Sequence, residues 1–247
     1  MGRLDDKVAV VTGASDRLGR AIARALAMEG ADIIVHYHSA EYKAQETVKL
    51  INDLGRQAIA VQADLAEPDQ AFYMIDEAVN HFGSLSILVN DAALFERGGI
   101  VDTTPANWDR QFNLNLRAPF FLSQRFFLSS RDAGRHIVNL AGVRGFRMDP
   151  GRIVYSLTKA GIIELTRVLA LACAPSVSVN AVAPGAILPP TGETEHSHDD
   201  LVKKIPLIRW GTVDDIVQAV LYFVTSSYIT GVVIPVSGGS HVEVFDV

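Results

Sequence analysis

Seven short apolar runs punctuate the sequence at Val8–Thr12, Asp32–His36, Ala58–Gln62, Ile87–Asn90, His136–Leu140, Ser178–Val182 and Val232–Val236. Between them lie longer stretches, Leu18–Gly30, Tyr42–Gly55, Asp69–Phe82, Trp108–Ser130, Tyr155–Ala174 and Val213–Val224, in which apolar residues return every three or four positions. The runs have the length and character of strands buried on both faces, and the stretches have the period of amphipathic helices. Regular alternation of the two requires right-handed crossovers between parallel strands, with helices covering both faces of the sheet. The expected fold is therefore α/β, a doubly wound seven-stranded parallel sheet in a single domain over residues 1–247. Punctuation agrees: Gly30 and Gly55 stand where helix C-caps are needed, and Pro68 stands before a helix.

Composition narrows the function classes. Hydrophobic residues make up 49% and charged residues 20%, enough for a large buried core. With 22 Lys+Arg against 28 Asp+Glu the net charge is −6, and no basic block gives a footing for nucleic acid or an anionic membrane. Small molecules remain as partners. Cys173 is the only cysteine, so neither an intramolecular disulfide nor a cysteine metal cluster is possible. The charged start, Met1 to Lys7, lacks the apolar region of a signal peptide, and a cytoplasmic location is expected. Ile216 to Gly238 carries no charged residue, but its Thr-Ser-Ser centre, Gly231 and Pro235 divide it into a core helix and a strand. Residues 187–205 are polar and broken, a candidate substrate lid beside the ligand crevice. His196 and His198 within that segment lack ligand spacing, so no metal is expected.

The first strand runs through Thr12-Gly13-Ala14-Ser15-Asp16-Arg17-Leu18-Gly19 into a helix. Gly13 permits a tight turn, Gly19 permits close helix–strand approach, and the helix start offers free N–H groups to a pyrophosphate. Ser15, Arg17 and Leu18 complete the turn. Arg20-Ala21 stands where a nucleotide-hydrolysing loop needs Lys-Ser/Thr, which disfavours that chemistry. At the end of the second strand, where a carboxylate would bind a ribose 2′-hydroxyl, the chain reads His36-Tyr37-His38-Ser39. Imidazoles and hydroxyls suit a 2′-phosphate better, which points to NADP(H).

Tyr155 and Lys159 lie four residues apart at the start of a predicted helix and so share a face. A nearby ammonium favours the phenolate and is expected to lower the tyrosine's pKa. Taken in order, Thr12-Gly13…Gly19, Asp64, Asn90-Asp91-Ala92-Ala93, Asn115, Tyr155…Lys159 and Pro184-Gly185 resemble the short-chain dehydrogenase/reductase family over nearly the whole chain. The resemblance implies a Rossmann fold, with Tyr155 as proton donor, Lys159 as its tuning partner and ribose ligand, and Asn115 as anchor of a proton-relay water. It also places Asp64 and Leu65 at the adenine, Asn90 and Ala92 along the ribose, and Pro184 and Gly185 at the nicotinamide. Family members commonly pair through the helix carrying the tyrosine, so a homo-oligomer, tetramer or dimer, is implied. Ala160 and Gly161 would allow that approach.

Arg17 in place of the family's middle glycine, with His36-Tyr37-His38 and Phe95, is similar to the pteridine reductase branch. That likeness implies that Arg17 reaches both pyrophosphate and substrate and that Phe95 stacks on a flat heterocycle. Where the family has serine, and that branch aspartate, this chain has Gly142, with Arg144 and Asp149 nearby in sequence. The expected substrate-facing residues are thus Arg17, Phe95, Gly142 and Tyr155. The leading expectation is an NADPH-dependent reductase of a C=N or C=O group in a pterin-like substrate. Two alternatives stay open: a carbonyl, sugar-alcohol or acyl-thioester reductase, and a dinucleotide-binding protein with little catalysis.

Overall fold

The computed structural model describes residues 2–130, 132–189 and 199–242. Its seven strands are β1 (Val8–Val11), β2 (Asp32–Tyr37), β3 (Ala58–Gln62), β4 (Ile87–Asn90), β5 (Arg135–Leu140), β6 (Val177–Pro184) and β7 (Val233–Val236). They form one sheet in the order β3-β2-β1-β4-β5-β6-β7, every pair parallel. Because β1 is flanked by β2 and β4, the winding direction reverses there, and a crevice opens past the carboxyl ends of β1 and β4. The expected architecture is the observed one.

Side-chain alternation along each strand feeds two cores. Ala9, Val11, Ile33 and Val35 face one, against Ile22 and Leu26 of α1 (Arg17–Met28), Ile51 of α2 (Glu41–Asp53) and Phe223 of α8 (Val213–Val224). Val10, Ile34 and Leu88 face the other, against Met74 of α3 (Pro68–Phe82), Phe126 of α5 (Ala118–Leu128) and Leu169 of α6 (Ile153–Ala172). Each of these side chains larger than alanine contributes roughly 1.5–3 kcal/mol by leaving water, and together they clamp the crevice-forming ends of the central strands. Gly30 and Gly55 follow α1 and α2 with φ of 109° and 80°, the left-handed conformation of a helix-ending residue.

Three expectations need correction. The outer strands are not buried on both faces: β7 and most of β3 are half-buried, since an edge strand has a neighbour on one side only. β7 is moreover four residues long and contains Pro235. The stretch Trp108–Ser130 is not one regular helix. It divides into α4 (Pro105–Phe112), one wide π turn at Asn113–Arg117, and α5. Gly161 does not offer a bare surface to another subunit, because an added Cβ there would lie 2.8 Å from a methyl group of Leu116 in that π turn.

The segment Ile216–Gly238 resolves into α8, an intervening loop and β7 as expected. Among the described residues no helix is long and apolar enough to cross a membrane. Of the candidate lid, residues 187–189 and 199–205 are described, including the short α7 (Asp199–Val202). His196 and His198 lie outside the described residues.

Candidate active site

At the mouth of the crevice the glycines of the first turn are dictated by contact. Gly13 has φ +68°, and a Cβ there would stand 3.3 Å from the Ala92 backbone. A Cβ on Gly19 would stand 2.5 Å from the Gly13 carbonyl oxygen, closer than real Cβ contacts. Thr12 Oγ1 accepts the N–H groups of Asp91 and Ala92 at 2.8 and 2.9 Å, which stitches the turn to the exit of β4. Asp16 caps α1 through the Arg17 N–H. Among the described residues the amides of Ser15 and Leu18 donate to no protein acceptor, as a phosphate-holding helix start requires. Arg17 takes φ +50°, the conformation a glycine would occupy without strain, and its guanidinium donates to the Pro189 carbonyl at 2.7 Å.

The end of β2 departs from the sequence expectation. His36 is 2% exposed: its Nδ1 accepts the Gly13 N–H at 3.0 Å, and its Nε2 lies 3.0 Å from the Ala63 carbonyl. Accepting at Nδ1 leaves the proton on Nε2 to donate to Ala63, so the ring is neutral. Burial carries its pKa down to about 4, the hydrogen bond to Ala63 opposing. His36 is thus a brace for the glycine turn and not a phosphate ligand. Tyr37 is also largely buried, and it is His38 and Ser39 that face solvent. His38 Nε2 stands 3.9 Å from Asp64 Oδ2. Asp64 in turn is fixed by the Ala66 N–H on its Oδ1.

Leu65 and Asn90 are committed to the interior. Leu65 packs in the core with Val61 and Met74, so only its backbone is open to a ligand. Asn90 Nδ2 donates to Asn139 Oδ1 at 2.8 Å, Asn139 continues to Thr166, and Asn90 Oδ1 is buried without a partner. Pro184 and Gly185 close β6, where the Gly185 N–H pairs with the Val236 carbonyl.

Around α6 the expected reacting groups do converge. Tyr155 is the third residue of that helix and Lys159 lies one turn on, its Nζ 5.6 Å from the Tyr155 ring centroid. The ammonium donates to the Leu140 carbonyl at the end of β5, at 2.7 Å. Asn115, in the π turn, accepts the Leu94 N–H at 2.7 Å and donates to the Leu94 carbonyl at 2.9 Å and to Thr158 Oγ1 at 3.3 Å. A widened helical turn is a frequent mark of a functional position. Here it directs one side chain at both the loop after β4 and the helix of Tyr155.

The electrostatics differ from the expectation for Tyr155. Burial pushes its pKa up to about 12, with Arg144 and then Arg152 pulling down and Asp91 pushing up. The phenol is therefore protonated at neutral pH. Lys159, 4% exposed, is brought down to about 8 by burial while Asp91 opposes. Burial likewise raises Asp91 to about 6 against the opposing Lys159 charge and the Gly19 N–H. The ammonium thus balances Asp91, and the phenol is governed first by its burial, then by Arg144, Asp91 and Arg152.

Those arginines complete the other wall. Phe95 meets Tyr155 edge-on with ring centroids 4.7 Å apart, and the Arg144 and Arg152 guanidinium carbons lie 5.1 and 4.4 Å from the Phe95 centroid. Asp149 Oδ2 accepts from both, at 2.8 and 3.3 Å. Burial pushes the Asp149 carboxyl up, and the Arg144 and Gly151 hydrogen bonds with the two charges outweigh it, leaving it below its usual value. Gly142 is buried; its φ of 160° is ordinary extended backbone, and a Cβ there would sit 3.5 Å from Tyr155 Oη, in normal contact. A Cβ would fit there, between Tyr155 Oη and Lys159 Cγ, so sterics do not require glycine at this position. Arg152 was not among the expected site residues, because a lone arginine before a helix carries no periodicity or motif.

A family model described as enoyl-(acyl carrier protein) reductase matches residues 13–241. Versicolorin reductase stcU of Emericella nidulans is 36% identical over 255 residues, covering 96% of this chain and 97% of that protein. Among solved structures, a short chain dehydrogenase from Burkholderia cenocepacia in complex with NADP superposes with a TM-score of 0.93 at 34% identity, covering 98% of this chain and 100% of the other. FolM alternative dihydrofolate reductase 1 from Brucella canis, complexed with NADP, does so with a TM-score of 0.92 at 31% identity, covering 100% and 98%.

Proposed function

Because the chain belongs to the short-chain dehydrogenase/reductase family, we propose that it reduces a C=O or C=N group of a small flat substrate, with Tyr155 as the proton donor. The chain is an NADP(H)-dependent oxidoreductase, as the neighbours holding NADP indicate. Its own residues fit that cofactor: a glycine cradle that any side chain would fill, amides at Ser15 and Leu18 that meet no acceptor among the described residues, and no carboxylate from His36 to Ser39. When bound, NADPH supplies the hydride.

The observation that carries the reading is the convergence of a protonated, half-buried phenol with Lys159, the helix that Asn115 braces, and the side-chain-free Gly142. Tyr155 Oη gives its proton to the substrate heteroatom, and the positive charges of Arg144 and Arg152 favour the phenolate left behind. Lys159, fixed by the Leu140 carbonyl, would hold the ribose of the cofactor. Asn115 holds the Leu94 peptide and the helix of Tyr155 in register. A pterin-like ring is the favoured substrate: Phe95 offers an exposed aromatic face next to Tyr155, and Arg17 projects a planar cation from the cofactor turn. The family model that matches is described by an acyl-thioester chemistry, which keeps a carbonyl reductase as the second reading.

The test is to titrate NADPH and NADH and then follow loss of reduced-cofactor absorbance with dihydropterins and simple carbonyl compounds. NADPH preference with dihydropterin turnover supports the proposal, and turnover of carbonyls alone selects the second reading. Tyr155→Phe is expected to bind NADPH normally and to lose turnover by about 10²–10⁴-fold. Unchanged turnover in that variant removes Tyr155 as donor.

A further inference from the structure

We propose that Arg144 and Arg152 form an anion subsite next to Tyr155, so that the preferred substrate is a flat aromatic compound bearing a carboxylate beside its reducible C=N or C=O group. This rests on the reductase reading above and specifies its substrate class.

The argument begins with charge. Two guanidinium groups share one carboxylate oxygen, Asp149 Oδ2, while the Gly151 N–H occupies Asp149 Oδ1. Two cations against one anion leave an excess of one positive charge, in a protein whose net charge is −6. Each guanidinium carries five N–H donors, yet among the described residues the bond to Asp149 is the only hydrogen bond that either makes. Arg152 Nε is buried without a partner. A buried cationic donor left unused, as at Arg152 Nε, is costly to a fold unless something else meets it.

Geometry says where that partner lies. Both guanidinium groups pack on the ring of Phe95, and that ring lies against Tyr155. A flat ring placed on the exposed Phe95 surface with its carbonyl at the phenol would present a substituent to the arginines. Gly142 adds no side chain of its own at a position where a Cβ would stand 3.5 Å from Tyr155 Oη. Planar guanidinium groups match a carboxylate through paired hydrogen bonds, more strongly than a neutral amide. The competing explanation is that the arginines only brace Phe95 through its ring, in which case ligand charge is immaterial.

Calorimetric titration of the folded protein, alone and saturated with NADP⁺, with benzoate and with benzamide separates the two. These probes share size and shape and differ in charge. Benzoate is expected to bind about tenfold more tightly or better, with the preference lost in Arg144→Met and Arg152→Met, retained in Arg144→Lys and weakened by salt. Thermal melts check folding. If Arg152→Met does not fold, Arg144→Met, at a side chain about a third exposed, carries the comparison. Equal affinity for the two probes, or a benzoate preference that survives Arg144→Met, overturns the subsite. Turnover of para-formylbenzoate and its methyl ester then distinguishes the readings. Reduction of both aldehydes without benzoate preference removes the subsite and keeps the reductase. Arginine-dependent benzoate preference without NADPH oxidation on any carbonyl keeps the subsite and removes the reductase.

Discussion

His36 couples the cofactor turn to acidity. Its unfolded imidazole takes up a proton near pH 6.5, whereas the buried ring does so only near 4. Between those values the unfolded chain binds more protons, so stability falls as pH falls through the window. The shift corresponds to roughly 3 kcal/mol, and His36→Gln is expected to show an acid limb shallower by that amount in chemical denaturation. Identical limbs in the two proteins would remove His36 as the cause. Arg17 makes a contrasting case. A left-handed φ costs a non-glycine residue about 1–2 kcal/mol, so Arg17→Gly is expected to raise stability by about 1 kcal/mol while weakening NADPH binding, both read from melts with and without cofactor. What the sequence made legible at this scale was residue type at ordered spacing, enough for Tyr155, Lys159, Asn115 and the two glycines of the first turn. It did not reveal burial. His36 and Leu65 sit in the expected places, but their side chains turn inward, and the tyrosine's pKa moves opposite to expectation because desolvation outweighs a neighbouring charge.

At the scale of elements, the π turn between α4 and α5 is the part that periodicity conceals. One extra residue in a helical turn leaves the apolar pattern nearly intact, so the stretch reads as continuous helix, although the widening is what aims Asn115 at Leu94 and Thr158. Asn115→Ala removes the partners of a peptide group in the loop that carries Phe95. A loss of about 1–3 kcal/mol is expected from the unpaired groups, together with reduced turnover. A variant as stable and active as the parent would show that Leu94 finds other partners. The strands were easier to read. Their apolar runs end within a few residues of the observed limits, since a parallel strand covered on both sides admits few polar residues. The exceptions, β3 and β7, are those whose position at the margin depends on sheet order, which no local pattern encodes.

For the whole molecule, binding and folding are linked through the crevice between β1 and β4. A ligand that binds only the folded chain, at a hundred times its dissociation constant, adds about 2.7 kcal/mol. In a chain of this size that is a rise of roughly 5–10 °C in melting temperature. NADPH is expected to give the larger shift and NADH the smaller, and the reverse order would overturn the cofactor reading drawn from His38 and Ser39. The alternation of runs and helices announced this architecture from sequence, because few other folds accommodate it. The margin at β7 has a consequence of its own. A strand of four residues interrupted by Pro235 lacks one of the amide donors through which another chain could zip onto the sheet. Backbone pairing of another copy on that side is thereby weakened, which makes one common route to fibrils less favourable for crowded, freshly synthesised molecules.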